Sequence, residues 1–220
     1  MIAFQNVSKY YEHQSILKNI TFTIQKGEMA FLTGPSGAGK STLLKLMYLA
    51  EWPDEGNIVI GDFQLQSLSP SQIPMLRRSI GVVFQDFKLI NTLSVFDNVA
   101  LSLRIKGVIE KDIKNLVSGA LKRVHLRHLS DSYPLILSGG EQQRVAIARA
   151  IVTEPLVLLA DEPTGNLDPN TAIDIIKLFE EINLQGTTII IATHNKELFK
   201  NTKRRVLKLD SGSLIGEEVG

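Results

Sequence analysis

Residues 34–42 read Gly34, Pro35, Ser36, Gly37, Ala38, Gly39, Lys40, Ser41, Thr42, which combines three glycines with one lysine and three hydroxyl side chains. Glycines at this spacing let successive backbone N–H groups curl inward around an anion, and a helix that begins where they end aims its N-terminus at the same point. Lys40 then reaches the β- and γ-oxygens of a polyphosphate, and Ser41 is placed to ligate Mg²⁺. Loose glycine-rich turns before helices are common. The full spacing with Lys-Ser in register is not, and it implies a nucleotide-binding loop.

Two further groups have the types and spacing for chemistry. Val157, Leu158, Leu159 and Ala160 lead directly into Asp161 and Glu162. There Asp161 can hold a Mg²⁺-bound water opposite Ser41, and Glu162 can orient or deprotonate an attacking water. An acidic pair after an apolar run is ordinarily a solvated strand end, but with the phosphate loop in the same chain it becomes the second half of a hydrolytic site. Ser138, Gly139 and Gly140 open a helix start, where a hydroxyl and two glycine amides form an anion site with no phosphate of its own in this chain. His125 and His128 stand three apart without a third ligand in register, so they read as surface or packing residues.

These groups need a frame. Ile2, Phe4 and Val7, then Ile20, Phe22 and Ile24, then Ile58 and Ile60 alternate in strand fashion, with turn signals at Lys26-Gly27 and Glu55-Gly56. They predict an antiparallel layer beside the first parallel strand. Unbroken apolar runs at 80–84, 156–160 and 188–192 have the composition of strands covered on both faces. Interleaved with helix-like segments, they predict a mostly parallel α/β sheet with ligands at the carboxyl ends of the strands. From about Gln85 to Arg149 helical periodicity takes over, and Ile113, Leu116, Val117, Ala120, Leu121 and Val124 form one stripe read as a core-packing face. The expected organisation is a single domain over 1–220, with a core of about 1–85 and 150–220 and an inserted helical lobe of about 86–149.

Bulk properties narrow the classes. A chain of 220 residues with a 44% apolar fraction can bury a full core without staples, and with no cysteine it has neither disulfides nor thiolate metal sites. Net charge is +1 with both signs dispersed, which argues against a nucleic-acid-binding face. Lys203, Arg204 and Arg205 are expected to be solvated at the start of a strand. No stretch approaches the roughly 20 apolar residues that span a bilayer, and the first residues lack a secretory apolar core.

The segment Leu137-Ser138-Gly139-Gly140-Glu141-Gln142-Gln143-Arg144 resembles the signature motif of the ATP-binding-cassette ATPases, and the resemblance extends from about residue 2 to residue 215. It implies an α/β P-loop NTPase of the ABC type: a mostly parallel sheet core, an antiparallel β layer and an inserted helical lobe, with ATP and Mg²⁺ as cofactors. It further implies that Ser138, Gly139 and Gly140 close on the γ-phosphate of ATP held by a second copy, in a head-to-tail homodimer around two ATP. By the same resemblance Tyr11 stacks on adenine, with Tyr10 an adjacent rival. Gln85 touches Mg²⁺ and the attacking water, the Asn166-Leu167-Asp168 loop crosses the dimer interface, and His194 contacts the γ-phosphate. The implied catalytic set is Glu162, His194, Gln85 and Lys40, and the implied metal set is Ser41, Gln85 and Asp161. Asn195 stands where many relatives carry aspartate, which implies retuned turnover rather than its loss.

Residues 27–34, 76–87 and 95–100 resemble the FtsE-type, cell-division branch of this family. Residues 159–168 agree but are shared with lipoprotein-release and macrolide-export cassettes, so an energising role in such a transporter stays open. The cell-division resemblance implies a peripheral protein on the cytoplasmic face of the bacterial inner membrane at the division site. It touches the membrane only through an FtsX-like integral membrane partner and transmits ATP-driven motion outward to activate cell-wall hydrolases. Phe87, Leu89 and Ile90 are expected either to receive a cytoplasmic helix of that partner or to pack in the core.

Overall fold

The computed structural model describes residues 1–12, 14–200 and 202–220. β1 (Ile2–Tyr11) and β2 (Gln14–Ile24) pair antiparallel, and β3 (Met29–Thr33) leads through the glycine-rich loop into α1 (Lys40–Met47). Next come β4 (Glu55–Ile60), β5 (Phe63–Gln64), α2 (Ile73–Arg78) and β6 (Ile80–Val83). The α-helices α3 (Val95–Lys106), α4 (Glu110–Arg123) and α5 (Gly139–Ile151) precede β7 (Val157–Asp161), α6 (Pro169–Leu184), β8 (Thr188–Ala192), β9 (Arg205–Asp210) and β10 (Ser213–Val219).

The strands make two sheets. One is antiparallel in the order β2-β1-β4-β5, and the other runs β10-β9-β3-β8-β7-β6, parallel from β9 through β6 with β10 antiparallel at one edge. The apolar runs are unbroken because each face of the larger sheet is covered. Side chains of a strand alternate between faces, so Phe31, Leu158, Ala160, Ile189 and Ile191 enter one core with the helices, while Leu32, Leu159, Ile190 and Ala192 enter a second core with α1 and the antiparallel sheet. Both cores meet at the sheet, which fixes the carboxyl ends of β3, β6, β7 and β8 beside one another.

The helical segment shares its apolar interior with the α6 face of the sheet rather than forming a separate core. α5 crosses residue 150, the boundary expected between lobe and core, and packs against α3, α4, α6 and β6. On α4, Ile113, Val117, Ala120 and Leu121 are buried, as is Val124 just beyond its end, but Leu116 is 40% exposed. The helical stripe is thus narrower than the sequence period indicates. The expectation for the basic run also changes. Arg205 opens β9 partly buried and bonds Glu217 (2.9 Å), the Thr23 carbonyl (2.5 Å) and Glu28 (3.4 Å), while Arg204 reaches Asn183 (3.3 Å). These guanidiniums tie the sheet to its neighbours because acceptors from β2, the turn before β3, α6 and β10 converge on them.

Candidate nucleotide site

The glycine-rich loop leaves the end of β3, and its backbone is dictated by close approach. A Cβ on Gly34 would overlap the Leu209 carbonyl, and one on Gly39, where φ is 104°, would lie 2.8 Å from the Leu17 side chain. Gly39 is the N-cap of α1, whose first turn carries no acidic residue and no side-chain cap, so its N–H groups and dipole are available to an anion. Lys40 is buried. Its ammonium donates to the carbonyls of Gly34 (2.8 Å) and Pro35 (3.1 Å), and it lies 3.6 Å from Glu162 Oε1.

Parallel strands deliver the acids. β7 ends at Asp161, and Glu162 follows with φ 46°, an uncommon conformation for a non-glycine residue, its N–H bonded to the Ala192 carbonyl of β8 (2.9 Å). That turn aims the Glu162 carboxylate at His194, whose Nδ1 lies 2.9 Å from Oε1. Gln85 follows β6, and a Cβ on Gly165 would lie 3.0 Å from its amide nitrogen, so it packs on the turn after Glu162. Asn195 points elsewhere: its side-chain oxygen accepts from the Glu197 N–H (3.1 Å) and caps a short 3₁₀ turn.

One cleft of about 660 Å³ gathers Tyr11, Pro35 to Gly37, Gly39 to Thr42, Gln85, Glu162 and His194. Tyr11 lines it, whereas Tyr10 directs its hydroxyl to Glu55 on β4 (3.3 Å). Burial holds the Tyr11 phenol above its ordinary pKa, reinforced by the Glu51 carboxylate and partly offset by Thr42. Ala38 is buried beneath the loop.

Asp161 lies behind the cleft. Burial pushes its carboxyl pKa up, Glu162 adds to this, and a hydrogen bond from Ser41 with the charges of Lys40 and Lys45 opposes it. Its Oδ1 is buried without a hydrogen-bond partner. A buried orphan carboxylate oxygen next to a hydroxyl is a donor set suited to a hard divalent cation or its bound water. Among the described residues no three His, Asp or Glu side chains are gathered for a metal. Mg²⁺ typically needs few protein ligands when phosphates supply others, so the residues present fit the ion.

Ser138, Gly139, Gly140 and Asp168 lie outside this cleft. They line a second depression of about 300 Å³ at the adjoining N-termini of α5 and α6. Ser138 caps α5 in a reciprocal box with Glu141: its N–H and hydroxyl donate to Oε2 (2.8 and 2.7 Å), and its oxygen accepts from the Glu141 N–H (3.3 Å). These bonds hold the Glu141 carboxyl below its usual range. Asp168 caps α6 through the N–H groups of Asn170 and Thr171 (both 3.1 Å). A Cβ on Gly140 would lie 2.6 Å from the Thr171 methyl, so a glycine is needed for the two helices to meet.

The sequence reading missed the ties between the two places. Asn166 Nδ2 donates to the Gln85 carbonyl (3.2 Å), and Arg149 on α5 donates to the carbonyls of Phe87 (2.7 Å) and Lys88 (2.6 Å). The expected apolar trio after Gln85 divides: Leu89 packs against the core, Phe87 is half-buried, and Ile90, whose backbone is held by Asn98, is 40% exposed. His125 and His128 line a shallow surface depression with Lys122 and Arg127. Among the described residues no helix is long and apolar enough to cross a membrane.

Comparison with known proteins shows the family and the fold. Residues 17–165 match the family model described as ABC transporter. The chain is 48% identical to the cell division ATP-binding protein FtsE of Bacillus subtilis (strain 168), over 99% of this chain and 96% of that protein. It is 49% identical to FtsE of Escherichia coli (strain K12), over 98% of each. An ATP-binding cassette solved as a dimer in a post-hydrolysis state with ADP and Pi superposes with a TM-score of 0.90 at 34% identity, covering 100% of this chain and 98% of that one. The chain belongs to the ABC transporter family as an ATP-binding, ATP-hydrolysing cassette, in the branch of the FtsE cell-division proteins.

Proposed function

We propose that two copies of this chain close head to tail around two Mg²⁺-ATP and, through an FtsX-like membrane partner, drive a step of cell division in which cell-wall hydrolases are activated. The observation that carries the dimer is the separation of the two depressions. The phosphate-loop cleft has cations, amides and a base but no signature serine, while the Ser138 depression has two helix N-termini but no phosphate-binding lysine. Each complements the other only when a second copy supplies it. The dimeric cassette with ADP and Pi supports this arrangement, and the FtsE relatives support the cell-division setting over lipoprotein release or macrolide export.

In this reading Tyr11 stacks on the adenine, and the amides of 34–42 with Lys40 bind the phosphates. Glu162 takes the proton of the attacking water, and His194 and Gln85 hold the γ-phosphate and that water in line. Ser41, Gln85 and Asp161 would hold Mg²⁺, which would supply neutralisation of the negative charge on the phosphates. Ser138, Gly139 and Gly140 hold the γ-phosphate of the other copy's ATP, with Asp168 in the loop at the interface. The protein sits peripherally at the cytoplasmic face of the inner membrane, at the division site, held there by its partner.

The socket for the partner is a groove of about 330 Å³ along edge strand β6, between α2, α3 and α5. Its apolar floor includes Ile80, Val82 and Ile105, and its charged lining is Arg77, Arg78, Lys106 and Arg149, with no carboxylate. Arg77 donates to the carbonyls of Tyr48 and Leu49, and Lys106 to that of Thr153, so their positive charge is uncompensated. Such a groove suits an amphipathic cytoplasmic helix that carries acidic residues. The test is an ATP-dependent pull-down from native membranes with the Glu162→Gln form and mass-spectrometric identification of the captured membrane protein. An FtsX-like protein is expected. A lipoprotein-release or export permease would retain the ATPase chemistry and overturn the cell-division assignment.

A further inference from the structure

Phe87 and Lys88 are consecutive non-glycine residues with φ of 58° and 51°, in the left-handed region that costs a side-chain-bearing residue conformational energy. Two such residues in succession persist only where their surroundings hold them. Within the loop the Phe87 and Lys88 N–H groups donate to the Phe84 and Asp86 carbonyls and Lys88 pairs with Asp86; from outside it the holder is Arg149, which donates Nη1 to the Lys88 carbonyl at 2.6 Å and Nη2 to the Phe87 carbonyl at 2.7 Å. Burial shifts this guanidinium's pKa downward, and among the described residues no carboxylate pairs with it. A desolvated cation whose acceptors are two backbone carbonyls is costly to keep unless the geometry it imposes is needed.

The loop it clamps joins both depressions. Its first residue, Gln85, enters the phosphate-loop cleft, and its carbonyl accepts from Asn166 beside the Ser138 depression. Its third residue, Phe87, brings its ring tip to 4.0 Å from where a Gly139 Cβ would stand, at the start of α5. Arg149 itself belongs to α5. One helix therefore carries the Ser138 motif at its first turn and the clamp on the Gln85 loop near its last.

We propose that Arg149 is a positioning residue for ATP hydrolysis. It holds residues 87 and 88 in their left-handed conformation, so that the Gln85 amide stays aimed into the cleft and moves as one body with α5. It touches neither nucleotide nor water and acts through Gln85. The inference rests on the family's ATP hydrolysis and not on the partner's identity.

The experiment compares Arg149→Ala, Lys88→Gly and the double variant for turnover, affinity for a fluorescent ATP analogue, and thermal unfolding. Arg149→Ala is expected to lower kcat on the order of tenfold, as misplacement of a positioned group does, with nucleotide affinity within about twofold of the parent because the phosphate loop is untouched. Lys88→Gly alone is expected to turn over as the parent does. A glycine adopts positive φ without strain, so in the double variant it is expected to restore most of the lost kcat. Parent-like turnover by Arg149→Ala overturns the proposal. So does a folded double variant no faster than Arg149→Ala, since Arg149 would then serve only as scaffold. If Arg149→Ala does not accumulate as folded protein, Arg149→Lys, whose ammonium reaches one carbonyl in place of two, gives the same readout: its loss in kcat must be repaired by Lys88→Gly, and an unrepaired loss overturns the proposal equally.

Discussion

The phosphate-loop cleft and the Ser138 depression both sit at helix N-termini, yet they treat their polar groups in opposite ways. In the cleft, charge is concentrated and imperfectly satisfied. Lys40 leans on two backbone carbonyls, Glu162 stands between Lys40 and His194, and one oxygen of Asp161 has no partner. In the depression the polar groups are internally matched: Ser138 and Glu141 cap one helix reciprocally, and Asp168 caps the other. Buried charge without a matched partner stays only where something else completes it. The cleft is thus built to exchange its internal pairs for a polyphosphate and cation, whereas the depression is a finished surface. In the function proposed above, a γ-phosphate would draw Lys40 and His194 from Glu162 and leave that carboxylate free to accept a proton.

The largest effect is expected at the base. Glu162→Gln should retain ATP binding and lower hydrolysis on the order of 10²-fold or more, because the amide keeps the size of the side chain but not its basicity. Single-turnover measurement with radiolabelled ATP checks this, and ordinary turnover would remove Glu162 from the mechanism. Next in size is Lys40→Ala. Loss of one charge-assisted contact to phosphate corresponds to about 2–3 kcal/mol, hence a weakening of ATP affinity by roughly 30- to 160-fold, measurable by titration calorimetry. Unchanged affinity would mean that the ammonium's place is with its carbonyls rather than with nucleotide.

How much of this contrast the sequence displays depends on the range of the interactions. The phosphate loop, the acid pair after β7 and the Ser138 octet are local patterns, and the strands that carry them are legible because a strand covered on both faces is apolar throughout. The helical period marks α4, but only packing shows that Leu116 turns outward while Ile113 and Val117 turn inward. Adjacent tyrosines read alike until β4 takes the hydroxyl of Tyr10 and leaves Tyr11 at the cleft. Arg149 is the clearest limit. Its acceptors lie 61 and 62 residues away and are backbone carbonyls, which carry no side-chain identity for a sequence to show. Arg205 is misread for the same reason, since pairing of β9 with β3 and β10 brings Glu28 and Glu217 to it and the packing of the antiparallel sheet brings Thr23, all distant in sequence.

If the depression serves only the other copy's nucleotide, damage there should spare the monomer. Ser138→Arg is expected to abolish the ATP-dependent dimer formed by the Glu162→Gln background, seen as failure of the mass to double in light scattering, while ATP affinity of the single chain stays within about twofold. The substitution also removes an N-cap, which costs about 1 kcal/mol, so unfolding is monitored in parallel. A dimer that persists would separate the Ser138 motif from assembly and dissolve the distinction between the two regions. Loss of monomer affinity would do so from the other side, by making the depression part of the same chain's site.

The smallest effect tests whether the depression is as self-contained as its bonds indicate. Glu141 accepts from the Ser138 N–H and hydroxyl near the positive end of α5, so its ionised form is favoured on folding and its carboxyl is held below the usual range. An acid whose pKa is lowered by folding contributes stability that is fully present above its unfolded value and is lost as pH falls through its folded value. Glu141→Gln keeps an acceptor at the capping position but removes the charge. At neutral pH it should therefore melt about 1–3 °C below the parent, from a dipole contribution of roughly 0.3–1 kcal/mol. The gap should close as the pH is lowered from the ordinary glutamate range through the depressed folded value, where the parent's carboxylate also becomes neutral. Saturating ATP in the phosphate-loop cleft of the monomer should raise both melting temperatures and leave their difference unchanged, because the box shares no hydrogen bond with the cleft and the Arg149 tie to the Gln85 loop, at the opposite end of α5, is the same in parent and variant. A difference that ATP alters would show that the charge of the box itself responds to nucleotide in the same chain.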